Sequence, residues 1–401
     1  MESYIGKNGT FALMKNLNLE KVFRTVVLRA PISRAEISRV TGLNKVTVSN
    51  CVKTLMDCDL ISEEGIVSSD SGRPPVMLML SKTFGVLIGV EISAVSTNIV
   101  VTDLRGTILE KPVMEHCHQD PETFFKGMEQ LIAECSEKYN NMTHGVIGLG
   151  VALPVNYNQE DESYQENPPL PEWKGVDAYK ELKKRLGKLQ VAVLTTAAAG
   201  AMGEVHFGDA SPDTYLAYLH GAWGLKLDLY SGGGTYSMSS DFSGRVGQMI
   251  VERNGKENEF GSRGCLESYA SIHALINKLY PNQTNRYESV LDLMRRQKFE
   301  DPEVEEAMQE VYDYLAIGLT NLIHIFHPET LCIGSYLGLL LGRRGLDQVA
   351  KKVEELTHGG YPVDQIICSK LGIYGFSFGC ISWIRDHLIE YLFDEEEGIL
   401  C

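Results

Sequence analysis

One stretch limits the fold more than any other: Ala30 to Leu60, APISRAEISRVTGLNKVTVSNCVKTLMDCDL. Ser33 and Glu36 have the S-x-x-E spacing of a capping box, which predicts a helix starting at Arg34. It runs through Ile37 and Val40, and Gly42 marks a turn tight enough to need glycine. Asn44 can cap a second helix, whose Val48, Val52 and Leu55 recur four and three apart and face inward. Lys45, Thr47, Asn50 and Lys53 are then left on the outer face. Two short helices with polar side chains on the early turns of the second are the pattern of a helix-turn-helix. A helical hairpin with a solvated face is the plainer reading.

The next twenty residues favour DNA binding. Leu60-Ile61-Ser62 and Ile66-Val67-Ser68 flank an acidic turn, Glu63-Glu64-Gly65, and the run Val76–Leu80 comes after Ser71-Gly72-Arg73-Pro74-Pro75. Short strands after a recognition helix make a wing, and Arg73 either reaches a minor groove or a phosphate or is a plain loop arginine near the domain boundary. The formal charge of the 401 residues is -16, which as an average argues against nucleic acid. The distribution reverses that inference. Residues 1–82 hold 11 Lys/Arg against 8 Asp/Glu, while the remainder carries -19. A basic head on an acidic body confines phosphate attraction to the head.

The nine cysteines stand singly at 51, 58, 117, 135, 265, 332, 368, 380 and 401, without a C-x-x-C pair. Scattered thiols and the lack of a signal-like or membrane-spanning apolar run lead us to expect a soluble cytoplasmic protein with no membrane partner. From Phe84 onward, paired apolar runs alternate with helical periodicity. Strands are expected at 86–92, 97–103, 108–109, 146–153, 191–194, 215–219, 225–229 and 331–334. Helices are expected at 17–29, 121–139, 176–186, 196–203, 266–279, 286–296, 302–325, 346–356 and 377–391, with 1–16 as an arm or first helix. The small residues of 196–203 suit a helix packed close to its neighbours. This is an α/β body, expected in two lobes.

Head and body together resemble the ROK family of repressors and sugar kinases, in particular regulators with an N-terminal winged helix. The resemblance rests on SRAEISRVTGLNKVTVSN followed by SGRPP, then GVEISAVSTNIVVTDLRG, GLGVALPV, NPPLPEWKG, AAAGAMGE, FSGRVGQM and GSRGCLESYAS, in that order. It implies a winged helix-turn-helix over 1–82. Residues 83–401 would be a degenerate two-lobed, actin-like sugar-kinase (ribonuclease H-like) body for dimerisation and possible effector binding.

The departures from the kinase pattern are informative. Where the family's kinases have D-x-G-G-T, this chain has Glu91, Ile92, Ser93, Ala94 and Val95, which lack the glycines that let backbone N–H groups approach a phosphate. The second phosphate segment reads Gly221, Ala222, Trp223 and Gly224, and the adenine-side glycine cluster Gly334, Ser335 and Tyr336. The Asn-Asp pair whose carboxylate would accept the sugar proton falls on Thr195 and Thr196, which suit a helix cap better than a base. The family's zinc ligands fall on Gln248, Asn258, Phe260 and Cys265, and a single thiol does not make a zinc site. His116 and His118 lack a third ligand. The sugar-contacting carboxylate and histidine fall on Arg245 and Gln248, the loop asparagine falls on Pro169, and Glu267 survives. Arg245 would favour a sugar acid or sugar phosphate, unless it pairs with Glu267.

The expectation is therefore a transcriptional regulator of carbohydrate-related genes that binds operator DNA through Arg34, Asn44, Lys45, Thr47, Asn50 and Arg73. Arg245, Gln248 and Glu267 form its candidate effector cleft, and the expected assembly is a homodimer or tetramer without cofactor, metal or kinase activity. An active carbohydrate kinase with a regulatory head and a constitutive DNA-binding scaffold are the alternatives.

Overall fold

A computed structural model describes residues 7–66, 76–93, 96–113, 120–154, 157–158, 163–164, 170–235, 244–258, 261–283 and 285–392. Arg73, His116, His118, Pro169 and Phe260 lie outside the described residues. The head contains α1 (Lys7–Arg29), β1 (Ile32–Ser33), α2 (Arg34–Thr41), α3 (Lys45–Asp57), β2 (Ile61–Ile66) and β3 (Val76–Leu80). Helix α2 starts at the expected residue because Ser33 Oγ accepts the Glu36 N–H at 3.2 Å. It stops at Gly42, whose φ of 71° is a left-handed conformation suited to glycine. Asn44 caps α3 by accepting the Thr47 N–H at 2.9 Å. The acidic run Glu63-Glu64-Gly65 is not a turn between two strands. It lies within β2, which pairs antiparallel with β3 and slips register between Glu63 and Ile66.

The first lobe follows with β4 (Val86–Ile92), β5 (Thr97–Asp103), β6 (Ile108–Glu110), α4 (Pro121–Lys138), β7 (Val146–Leu153), the short pair β8 (Tyr157–Asn158) and β9 (Ser163–Tyr164), α5 (Ala178–Leu186), β10 (Gln190–Thr195) and α6 (Thr196–Phe207). The second lobe has β11 (Leu216–Gly221), β12 (Leu225–Ser231), β13 (Gly234–Thr235), α7 (Glu267–Ala270), α8 (Ile272–Leu279), α9 (Arg286–Lys298), α10 (Pro302–Phe326), β14 (Thr330–Gly334), α11 (Ser335–Leu356) and β15 (Ile366–Cys368). The chain then returns through α12 (Gly375–Asp386) and α13 (Leu388–Leu392).

Each lobe has a five-stranded mixed sheet, in the orders β10-β7-β4-β5-β6 and β15-β14-β11-β12-β13. The two repeat one plan: an antiparallel hairpin at the centre, extended by parallel strands on one side. Both faces of β4 are covered, which is why VLIGVEI reads as an almost unbroken apolar run. Helices α6 and α12 pack against each other between the sheets. A Cβ on Gly379 would lie 1.6 Å from the Ala199 carbonyl oxygen, and one on Gly203 2.1 Å from that of Gly375. The head does not stand apart. Its buried Val22, Phe23, Val26, Ile37 and Leu55 join one apolar cluster with Leu87, Leu104, Ile384 and Leu388 of the body.

Candidate nucleic-acid interface and body cleft

Helix α3 buries Val48, Cys51, Val52 and Leu55 against the head, which fixes its rotation. Asn44, Lys45, Ser49, Asn50 and Lys53 are exposed on the opposite face, and Thr47 is half-buried beside them. Asn44 commits its side-chain carbonyl to the cap, so its amide nitrogen is the atom it can offer a ligand. Arg34 is already engaged: its guanidinium meets Glu63 of β2 at 2.6 Å and leans on Met56 Sδ at 3.7 Å. That pair ties the start of α2 to the wing strand, so a phosphate would compete with Glu63 for Arg34.

The junction between head and body is polar as well as apolar. Arg29 of α1 pairs with Asp213 at 2.5 Å. Arg24 of α1 lies 3.9 Å from Asp386, which is buried at the end of α12. Asp386 also lies 3.4 Å from His206 Nε2 at the end of α6, and Arg385 Nη2 lies 3.1 Å from His206 Nδ1. Burial pushes the Arg385 guanidinium down to about 10, and Asp386 sits below the usual carboxylate range because His206, Arg24 and Arg385 outweigh its desolvation. Glu64 of the wing strand is bonded by Arg105 from the β5–β6 turn.

In the cleft, Thr195 Oγ accepts the Ala198 N–H at 3.3 Å, the helix cap expected of it. Thr196, expected in place of a kinase base, is buried. The hairpin between β4 and β5 is closed by its own serines: Ser93 N–H donates to the Ser96 carbonyl at 2.9 Å, and Ser96 N–H to Ser93 Oγ at 3.0 Å. From the other lobe, the Tyr336 hydroxyl reaches Ser96 Oγ at 3.2 Å. Asn98 Nδ2 donates to Ser96 Oγ at 3.1 Å and to Glu91 Oε2 at 2.6 Å. Burial pushes the Glu91 carboxyl up to about 8. Sequence reasoning missed this chain of hydrogen bonds, because it joins residues 240 positions apart. Ser335, at φ 64°, holds a left-handed backbone that glycine adopts more readily. Trp223 stacks on His273, ring centroids 4.7 Å apart, and the Arg286 guanidinium lies 4.5 Å from the centre of the same indole.

Gln248, Asn258 and Cys265 do come together. Asn258 Nδ2 donates to Gln248 Oε1 at 3.1 Å, and the Cys265 thiol approaches the same oxygen at 3.8 Å. Two amides and one thiol do not fit zinc, which needs several thiolates or imidazoles; hydrogen bonds link them instead. No group of three or more His, Cys, Asp or Glu able to hold a metal occurs among the described residues. The Gln248 amide also donates to Glu267. The candidate effector residues thus divide. Arg245 and Gln248 line one cavity of about 660 Å³ with Met249, Leu322 and Phe326, whereas Glu267 lines another of about 640 Å³ with Lys256, Asn258, His273 and Lys278. No helix among the described residues is long and apolar enough to cross a membrane.

A family model described as ROK family matches residues 87–386. The chain is 31% identical over 388 residues to the xylose repressor of Bacillus spizizenii, covering 94% of this chain and 97% of that one. It is 29% identical over 385 residues to the xylose repressor of Bacillus subtilis, with the same coverage. Among solved structures, a ROK family transcriptional regulator described as a homologue of the Escherichia coli MLC protein superposes with a TM-score of 0.70 at 21% identity, covering 94% of this chain and 98% of that one.

Proposed function

The chain belongs to the ROK family, and from that premise we propose that it is a sequence-specific DNA-binding regulator, a repressor of carbohydrate-related genes acting in the cytoplasm. The carrying observation is α3. Its inner face is locked into the head while Lys45 and Asn50 stand exposed on the other, as a major-groove helix requires. Likeness over nearly full length to proteins named xylose repressors supports the same reading. Asn50 and Thr47 would meet base edges, Lys45 and Asn44 would meet phosphates or neighbouring bases, and Arg73 and Arg34 would flank them on the backbone. A single head spans only a few base pairs, so a symmetric dimer on a pseudo-palindrome is expected.

The body serves as an effector-sensing and dimerising unit rather than as a kinase. Thr195 and Thr196 offer no carboxylate, and a Tyr336–Ser96 hydrogen bond links the two lobes at the β4–β5 hairpin, the segment that resembles the kinases' first phosphate loop. An effector would enter beside Gln248 and Glu267, and the names of the relatives make D-xylose the first probe. Aldonic acids and sugar phosphates come next, because Arg245 and Lys256 add positive charge to the two cavities.

The test is a double variant, Lys45→Ala with Asn50→Ala, in the full chain. Operator affinity should fall by roughly a hundredfold or more, in line with losing a bidentate base contact and a phosphate contact together, while oligomeric state and melting temperature hold. Undiminished binding would refute the reading. Sugar-dependent ATP turnover by the wild type would refute the account of the body.

A further inference from the structure

The DNA-facing side of α3 holds one side chain that its polar neighbours do not explain. Val46 is 71% exposed, flanked by Lys45, Ser49 and Asn50, and takes no part in the apolar cluster of the head. Single exposed aliphatics are ordinary on protein surfaces, so position must carry the argument. Folding gives no reason for valine here. The cap is supplied by Asn44, the core by Val48 and Val52, and a β-branched residue in a helix has below-average propensity. Val46 lies four residues before Asn50, so the two stand side by side on one ridge, about 5–6 Å apart at Cβ. In the major groove, asparagine reads adenine through N6 and N7, and aliphatic carbons read the one apolar group on any base edge, the thymine 5-methyl.

Resting on the assignment of α3 as the major-groove helix, we infer that Val46 packs on the 5-methyl group of a thymine next to the adenine read by Asn50. The recognised half-site then contains adjoining A·T pairs whose order is fixed by this residue pair. Val46 is a specificity residue, and its contribution is apolar: it sets which bases are preferred and leaves the salt-dependent phosphate attraction unchanged.

The experiment uses the full-length chain. Sites are selected from a random duplex pool, and each thymine of the enriched half-site is replaced by deoxyuridine, which removes only the methyl group. Wild type should lose about three- to fivefold in affinity at one thymine per half-site, the worth of one buried methyl, and little at the others. Val46→Ser should bind thymine and deoxyuridine equally at that position and accept other bases there, with the remaining preferences intact. Lys45→Ala, by contrast, should weaken binding to all sequences and leave the deoxyuridine penalty as it was. The inference is overturned if wild type is indifferent to deoxyuridine throughout, or if Val46→Ser keeps the wild-type penalty. If wild type enriches no sequence at all, the DNA-binding reading itself fails, a result distinct from either of those.

Discussion

Glu91 is a carboxyl group held away from water at the mouth of the cleft, with Asn98 as its hydrogen-bond donor and a folded pKa raised to about 8 from an ordinary 4.5. In the unfolded chain it ionises near its ordinary value. Between those two pH values the folded state therefore holds a proton that the unfolded state has lost. The stability this confers is complete below about pH 4.5 and drains away as pH rises through about 8. Asp228, raised to about 7 by burial, acts with the same sign and would leave part of the slope in place. Glu91→Gln keeps an acceptor for Asn98 but has no proton to lose. Relative to wild type, it should gain stability of the order of a few kcal/mol at about pH 8 and little at about pH 5. Urea denaturation at the two pH values decides it, and parallel losses in both proteins would contradict the assignment. At this scale the sequence was partly legible. The caps at Ser33, Asn44 and Thr195 are local, so spacing revealed them. The state of Glu91 was not, because its burial is set by tertiary packing that brings Tyr218, Tyr336 and Cys380, all far along the chain, near its carboxyl.

Strands and helices were legible wherever one face alone is buried or an apolar run is long. They were lost where neither signal exists. Ile366–Cys368 is a three-residue edge strand beside β14, too short for periodicity to register. The first half of α11 was missed because Gly342, at φ 51°, interrupts the helix and hides its continuity. The expected helix over 266–279 breaks at Ser271, whose extended backbone and Oγ cap the second part. The small-residue helix α6 was read correctly as closely packed, and its partner is α12. Gly379 of α12 has no room for a side chain against the Ala199 carbonyl, while Gly42 stands in open space and needs glycine only for its backbone. Gly379→Ala should therefore cost about 3 kcal/mol or more, or prevent folding. Gly42→Ala should cost about 1–2 kcal/mol. Equal losses in thermal unfolding would show that the α6–α12 interface yields more than these distances imply.

Across the whole molecule, the charge asymmetry distinguishes a basic N-terminal stretch from an acidic remainder, but it gave no sign that the two share a core. A boundary drawn after residue 82 divides the sequence textures while cutting through one apolar cluster that runs from Phe23 to Leu388. If the body binds an effector, that continuity is a route by which the head would respond. Helix α6 is capped by Thr195 and carries His206 in its last turn. His206 meets Asp386, and Asp386 faces Arg24 of α1, the helix that packs on α3. Removing Asp386 would take one of the two carboxylates, Asp386 and Asp103, that favour the charged form of the buried Arg385, and the resulting loss of stability would obscure any effect on signalling. Arg24 is the better probe, since it is partly exposed and its 3.9 Å approach is too long for a strong bond. Arg24→Met should keep the fold and bind operator DNA with wild-type affinity. A compound that raises the melting temperature of wild type and releases it from DNA should stabilise the variant equally. The variant should nevertheless stay on DNA, with the relief of binding reduced about fivefold or more, because the ligand's preference for one arrangement of the lobes no longer reaches α1. If the variant dissociates as readily as wild type, the signal travels through the apolar cluster alone and the charged junction only seals the joint.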